Sequence, residues 1–204
     1  MVSDVEPYEE MKLRLLNGAH SGMAYLGVLS GHEMVADSFG DPLVRRFVER
    51  LWREASETLS PLLDTEAYRE ALSKRFANTA IRHRCAQIAM DGSQKLPLRI
   101  LPSIRRNLAE GLPIDRLALV VAAWVRYLHG IGERGEDHAV DDPAAGRLRQ
   151  LAANPNGRDA IAAVMADSAI FGDLAAEPRL QAAAADGLER LRRAGSLAVV
   201  AGMS

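Results

Sequence analysis

Among 25 basic residues only Lys12, Lys74 and Lys95 are lysine; the remainder are arginine. An ammonium can give up its proton when desolvated, whereas a guanidinium stays charged, so a lysine kept among arginines is a candidate for proton handling. Lys12 opens the run KLRLLNGAHS, which also holds Asn17, Gly18, His20 and Ser21. On a helix turning about 100° per residue, Lys12 and His20 lie roughly 80° apart and Asn17 and His20 roughly 60° apart, all on one broad side. A base, an amide donor and an imidazole facing one cavity have the chemistry to handle an alcohol or a carbonyl. Burial against the apolar residues of the same helix would favour a neutral Lys12 amine, because desolvation penalises the ammonium. By spacing alone, a solvated helix face with one buried histidine is the more ordinary explanation.

A second cluster gathers Arg82, His83, Arg84, Gln87, Asp91, Gly92, Ser93, Gln94 and Lys95. These side chains recognise hydroxyls, and they surround a turn. The same pattern also arises from helix capping with surface charge.

Other motifs fall away on context. Gly130, Gly132 and Gly135 spell G-x-G-x-x-G, but a dinucleotide loop works only between a strand and a helix. Here it follows a helix ending near His129 and runs into the charged stretch EDHAVDD. There is no Walker A loop. The five histidines, at 20, 32, 83, 129 and 138, make no tight metal-spaced pair with cysteine or carboxylate. Cys85 has no sequence sign of activation and reads as a buried structural thiol.

The elements that must position these residues are helical. Pro7 suits a first helical turn, and Met11, Leu15, Leu16, Ala19, Met23, Leu26 and Leu29 recur at helical spacing up to a stop at Gly31. Asp41-Pro42 opens a second helix to about residue 58, and a third spans about 64–76. Residues 85–90 are apolar and short. Asp91-Gly92-Ser93 reads as a turn capping a helix over about 94–109, which Pro97 and Pro102 complicate and threaten to split. The most apolar segment, 114–129, is predicted to be the central buried helix, followed by a loop over 130–142. Helices over about 143–153, 157–166 and 178–194 complete the chain. No alternating strand runs and no internal repeat occur, so the class is all-α.

Composition bounds the functions. A 48% hydrophobic and 25% charged chain of 204 residues is globular rather than disordered, with enough length for one good core. A net charge of −2 gives no attraction to nucleic acid or to an anionic membrane. No apolar run approaches a membrane span, the start MVSDVEPYEE is no signal peptide, and one cysteine cannot form an internal disulfide. The expectation is a soluble cytoplasmic protein.

KLRLLNGAHS at 12–21, AYLG at 24–27, RFAN at 75–78 and IRHRCAQIAMDGSQKLP at 81–97, in this order, resemble the C-terminal domain of the long-chain mannitol dehydrogenase family. That family includes mannitol 2-dehydrogenase, fructuronate reductase and tagaturonate reductase; IFGDL at 170–174 and Asp142-Pro143 add to the likeness, which runs from about residue 3 to the end. The resemblance implies a multi-helical substrate-binding domain, similar to the C-terminal domain of 6-phosphogluconate dehydrogenase, occupying residues 1–204. It also implies an N-terminal NAD(P)-binding Rossmann domain, which this chain lacks, as the holder of NAD or NADP. By the same resemblance Lys12 is the proton-handling base, Asn17 the amide stabilising the reacting oxygen and His20 a substrate-contacting imidazole. Lys95 binds substrate oxygens, with Arg84 and Gln87 beside it. The expected substrate is a sugar alcohol or a hexuronate/hexonate, with no metal. Some mannitol-oxidising members carry arginine where this chain has Gln87, and AQIAMDGSQKLP is closer to the fructuronate reductases, which leaves the substrate open. The rival readings are a non-enzymatic helical interaction domain and an inactive truncated fragment.

Overall fold

The computed structural model describes residues 5–203, so the first four residues, MVSD, and Ser204 lie outside them. Helix α1 (Glu6–Met11) runs without a break through a π-helical turn (Lys12–Asn17) into α2 (Gly18–Ser30). Then follow α3 (Val35–Gly40), α4 (Pro42–Ser56), α5 (Thr65–Phe76), α6 (Cys85–Ala89), α7 (Gly92–Arg99), α8 (Leu101–Ala109) and α9 (Asp115–Tyr127). The last third holds α10 (Ala145–Ala152), α11 (Gly157–Met165), α12 (Ser168–Phe171), a 3₁₀ turn (Gly172–Ala176), α13 (Pro178–Ala194) and α14 (Ser196–Ala201). Among the described residues there is no strand beyond two isolated bridges.

Local chemistry sets many of the ends. Asp41 accepts a hydrogen bond from the Leu43 N–H, with Pro42 as the first residue of α4. Asp64 caps α5 through the Ala67 N–H, and Asn156 caps α11 through Arg158 and Asp159. Gly31 ends α2 at φ +83°, a left-handed conformation that glycine adopts without a Cβ clash.

Two helices form the centre. Ten residues of α9 are buried, as the apolar run 114–129 predicts. In α2 every residue but Val28 is buried, because it packs on α3, α4, α6 and α9. Small residues make this possible: a Cβ on Gly27 would stand 2.7 Å from the Cys85 sulfur, so α6 lies directly on α2. Cys85 itself is fully buried, and burial pushes its thiol up to about 12, as befits a structural sulfhydryl.

Three features depart from the sequence reading. The helix over 94–109 begins two residues early, at Gly92, and its split at Ile100 meets the expectation, since Pro102 denies a backbone donor to the continuing ladder. Asp91 stands at φ +56° and makes no side-chain cap; Asp142 caps α7 instead, accepting from the Ser93 N–H at 2.8 Å and the Ser93 hydroxyl at 2.6 Å. Helices α3, α12 and α14 are too short to show a period in the sequence.

Candidate active site

The segment carrying Lys12 and Asn17 is not an α-helix. The Gly18 N–H donates to the Leu13 carbonyl, an i→i−5 bond, and the turn Lys12–Asn17 is π-helical. In an α-helix residues five apart diverge by about 140°. A π turn closes on the fifth residue instead and brings Lys12 and Asn17 to the same side. The wheel drawn at α-helical pitch therefore understates how closely these two positions align.

A π turn is held in place by its surroundings. The Trp52 indole N–H, from α4, donates to the Leu15 carbonyl at 2.9 Å. Arg14 points inward, 4% exposed, and donates from Nη1 to the Thr58 hydroxyl at 3.0 Å and the Thr58 carbonyl at 3.3 Å. Its other nitrogen pairs with Glu10. Asn107 on α8 continues this buried network to the carbonyls of Glu54 and Pro113. Arg14, Leu15 and Leu16 thus anchor the inner side, while Lys12 is exposed and Asn17 half-buried on the outer one. Among the described residues, neither the Lys12 amine nor the Asn17 amide has a hydrogen-bond partner. The exposure of Lys12 corrects the expectation that its own helix buries it: the apolar neighbours Leu15 and Leu16 face the other way.

His20 lies one turn on from Asn17 and is buried, with its ring 4.7 Å from Phe76 and edge-on to His83 at 5.9 Å. Burial, then the neighbouring His83, Arg75 and Arg99, lowers its pKa to about 4, so the imidazole is neutral at pH 7. His20 and His83 share a cavity of about 10 Å³ with Arg75, Phe76 and Asn78, room for roughly one water.

Helix α7 brings in the second cluster, packing on both the π turn and α2. A Cβ on Gly18 would stand 3.1 Å from the Arg99 carbonyl, so glycine is what lets the end of α7 approach. The Lys95 amine is half-buried, 3.7 Å from Asp91 and 3.4 Å from the Ile88 carbonyl. Burial, then Arg99, lowers its pKa, and Asp91 offsets part of that effect. Arg99, one turn further along, donates to the Ser21 hydroxyl at 3.3 Å. Sequence reading missed Arg99; its only signal was the four-residue spacing from Lys95. It placed His83 in the second cluster without the ring contact to His20.

The remaining two candidates are solvent-exposed. Gln87 is exposed on α6. Arg84 is 65% exposed and paired with Glu33 at 3.2 Å, a surface ion pair. Among the described residues no group of three or more metal-ligating side chains occurs, and no helix is long and apolar enough to cross a membrane. The glycines at 130, 132 and 135 lie in an irregular loop, with Gly132 packed against the Glu136 carboxylate. A carboxylate there repels a pyrophosphate, so this loop does not fit a dinucleotide.

Comparison with known proteins is consistent across sequence and structure. Residues 4–192 match the family model described as mannitol dehydrogenase C-terminal domain. The chain is 45% identical over 175 residues to a D-mannonate oxidoreductase of Escherichia coli, covering 84% of this chain and 36% of that protein. It is 36% identical over 204 residues to a mannitol 2-dehydrogenase of Phaeosphaeria nodorum, covering 98% of this chain and 35% of the relative. The solved ternary complex of Pseudomonas fluorescens mannitol 2-dehydrogenase with NAD and D-mannitol superimposes with a TM-score of 0.93 at 34% identity, over 99% of this chain and 42% of that one. The chain thus spans well under half the length of these relatives.

Proposed function

The chain belongs to the mannitol dehydrogenase C-terminal domain family, and from this we propose that it is the substrate-binding, proton-handling part of an NAD(P)-dependent oxidoreductase. The reaction is the interconversion of a secondary alcohol of a polyol or hexonate with its keto form. The nicotinamide cofactor, held by a nucleotide-binding Rossmann domain, supplies the hydride chemistry. This chain supplies the groups that bind the sugar and move the proton.

What most supports this reading is the π turn, which presents an unengaged amine and an unengaged amide on one side, next to the half-buried Lys95. In the oxidative direction the Lys12 amine accepts the proton of the hydroxyl borne by the reacting carbon. In the reductive direction its ammonium returns that proton to the alkoxide. The Asn17 amide donates a hydrogen bond to the same oxygen and stabilises the charge that develops there. His20, neutral because it is buried, contacts the substrate without adding a charge. The Lys95 ammonium binds sugar oxygens away from the reacting carbon. Gln87 and Arg84 lie at the margin; Arg84 must leave Glu33 to reach a substrate.

The test is a dehydrogenase assay of the chain joined to a nucleotide-binding domain of the family, with NAD⁺ and NADP⁺ and a panel of polyols and hexonates. Turnover of at least one sugar, lost on Lys12→Ala, is the expected result. No turnover of any sugar by a well-folded two-domain protein overturns the proposal.

A further inference from the structure

Resting on that reading of the site, we propose that Arg99, together with Lys95, receives the carboxylate of a sugar acid, so that hexonates are taken in preference to neutral polyols. Half-buried Arg50, Arg126 and Arg192 donate to backbone carbonyls, and four further arginines meet carboxylates. Arg84 is paired with Glu33, Arg105 with Asp173, Arg116 with Glu54 and Arg147 with Asp167. Arg99 is half-buried, yet among the described residues no carboxylate lies within ion-pair distance of it, and its one side-chain hydrogen bond goes to a serine hydroxyl. Burial without a counter-charge lowers its pKa, with desolvation the largest cause. Proteins pair a cation withdrawn from water, and this one is left to be paired by something else.

The setting selects what that partner is. Lys95 and Arg99 are four apart on α7 and so share a face. Both acids that act on this pair, Asp91 at 3.7 Å and Asp142, act on the lysine. Neither is paired with Arg99, whose charge is left unmatched. Arg99 also lowers the pKa of both Lys95 and His20, which places its charge within reach of both. Among the described residues four of its five N–H donors have no partner, and a guanidinium presents them as a planar fork that a carboxylate meets with two parallel bonds. A polyol hydroxyl offers no charge and cannot meet the fork in this way. Ser21, 1% exposed, fixes the guanidinium from the inner side. The Arg99 backbone rests on Gly18, the residue after Asn17, so the carboxylate group and the reacting oxygen are held by adjoining parts of one frame.

The test is an NMR titration of the 204-residue chain with D-mannonate, D-mannitol and acetate, following the Arg99 Nε–H signal and fitting each Kd. Mannonate should bind about tenfold more tightly than mannitol, as one charge-assisted contact allows. It should also shift the Arg99 signal and exceed acetate. In Arg99→Gln the advantage of mannonate over mannitol should disappear, and in Arg99→Lys part of it should remain. If Arg99→Gln loses native signal dispersion, the Arg99 shift in the unaltered chain and the Arg99→Lys result decide. Equal binding of mannonate and mannitol, or an advantage that survives Arg99→Gln, overturns the proposal and leaves the sugar site standing. Acetate binding as tightly as mannonate overturns it too, since the site is then a simple anion patch. If neither sugar binds the chain, this proposal falls, and the reading of the site is decided by the two-domain assay.

Discussion

The indole nitrogen of Trp52 donates a hydrogen bond to the carbonyl oxygen of Leu15 at 2.9 Å, tying the core of α4 to the backbone of the π turn. Lys12 and Asn17 flank Leu15 on that turn, so their alignment depends on a residue that touches neither. Trp52→Phe keeps an aromatic ring in the core but removes this donor. Stability should fall by about 1–3 kcal/mol, measured by denaturant unfolding, from a lost buried hydrogen bond and some lost volume. In the two-domain enzyme kcat should fall more than KM rises, because binding by α7 is untouched. A variant with wild-type stability and kcat would mean that the π turn stands without Trp52.

Lys12→Ala should lower turnover by about 10²–10⁴-fold in the two-domain enzyme, the usual contribution of a positioned general base. Lys12→Arg should not restore it, since a guanidinium takes up no proton near neutral pH. The pH profile of alcohol oxidation should lose one ionisation in the alanine variant. Near-normal turnover by Lys12→Arg would reduce Lys12 to an electrostatic anchor.

Lys95→Ala should act mainly on binding. Lys95 stands on α7, beside the π turn rather than on it, and its amine already contacts Asp91 and the Ile88 carbonyl. KM should rise substantially while kcat changes less. An unchanged KM removes Lys95 from the site.

Stability should fall with acid through His20. Its folded pKa, about 4, lies below the ordinary value of 6.5. Between those values the unfolded chain binds a proton that the folded one refuses, so the contribution is complete above pH 6.5 and is lost as pH falls toward 4. A shift of that size is worth about 3 kcal/mol. His129, also held near 4 by burial and by Arg192, acts in the same direction. Urea unfolding across pH 4–7 should show this slope, and His20→Gln should flatten it. An equal slope in the variant would locate the acid sensitivity elsewhere.

The chain by itself should not bind NADH appreciably. The described residues hold no strand leading through a glycine loop into a helix, and the one glycine triplet sits against Glu136. Calorimetric titration should give no saturable heat; stoichiometric micromolar binding would require a nucleotide site that these helices do not offer.

The helices and most of their ends were legible in the sequence because their causes are local. Asp41 with Pro42, Asp64, Asn156 and Gly31 act within a few residues of where they stand, and the period of 178–194 returns as α13 with the same bounds. The residues that carry the family likeness were legible as types in order. Their arrangement was not. An i→i+5 turn has no sequence period of its own. It persists here because Trp52, 37 residues from Leu15, and Thr58, 44 residues from Arg14, supply the partners. The start of α7 is capped by Asp142, 49 residues beyond Ser93, and not by the adjacent Asp91. The same distance in sequence hid Arg99, which meets Ser21 only after α7 has packed on α2, and hid the exposure of Lys12, which follows from which side of the π turn Arg14 anchors. Capping and periodicity are settled within one turn of chain; which polar groups end without a partner is settled only when every helix has taken its place.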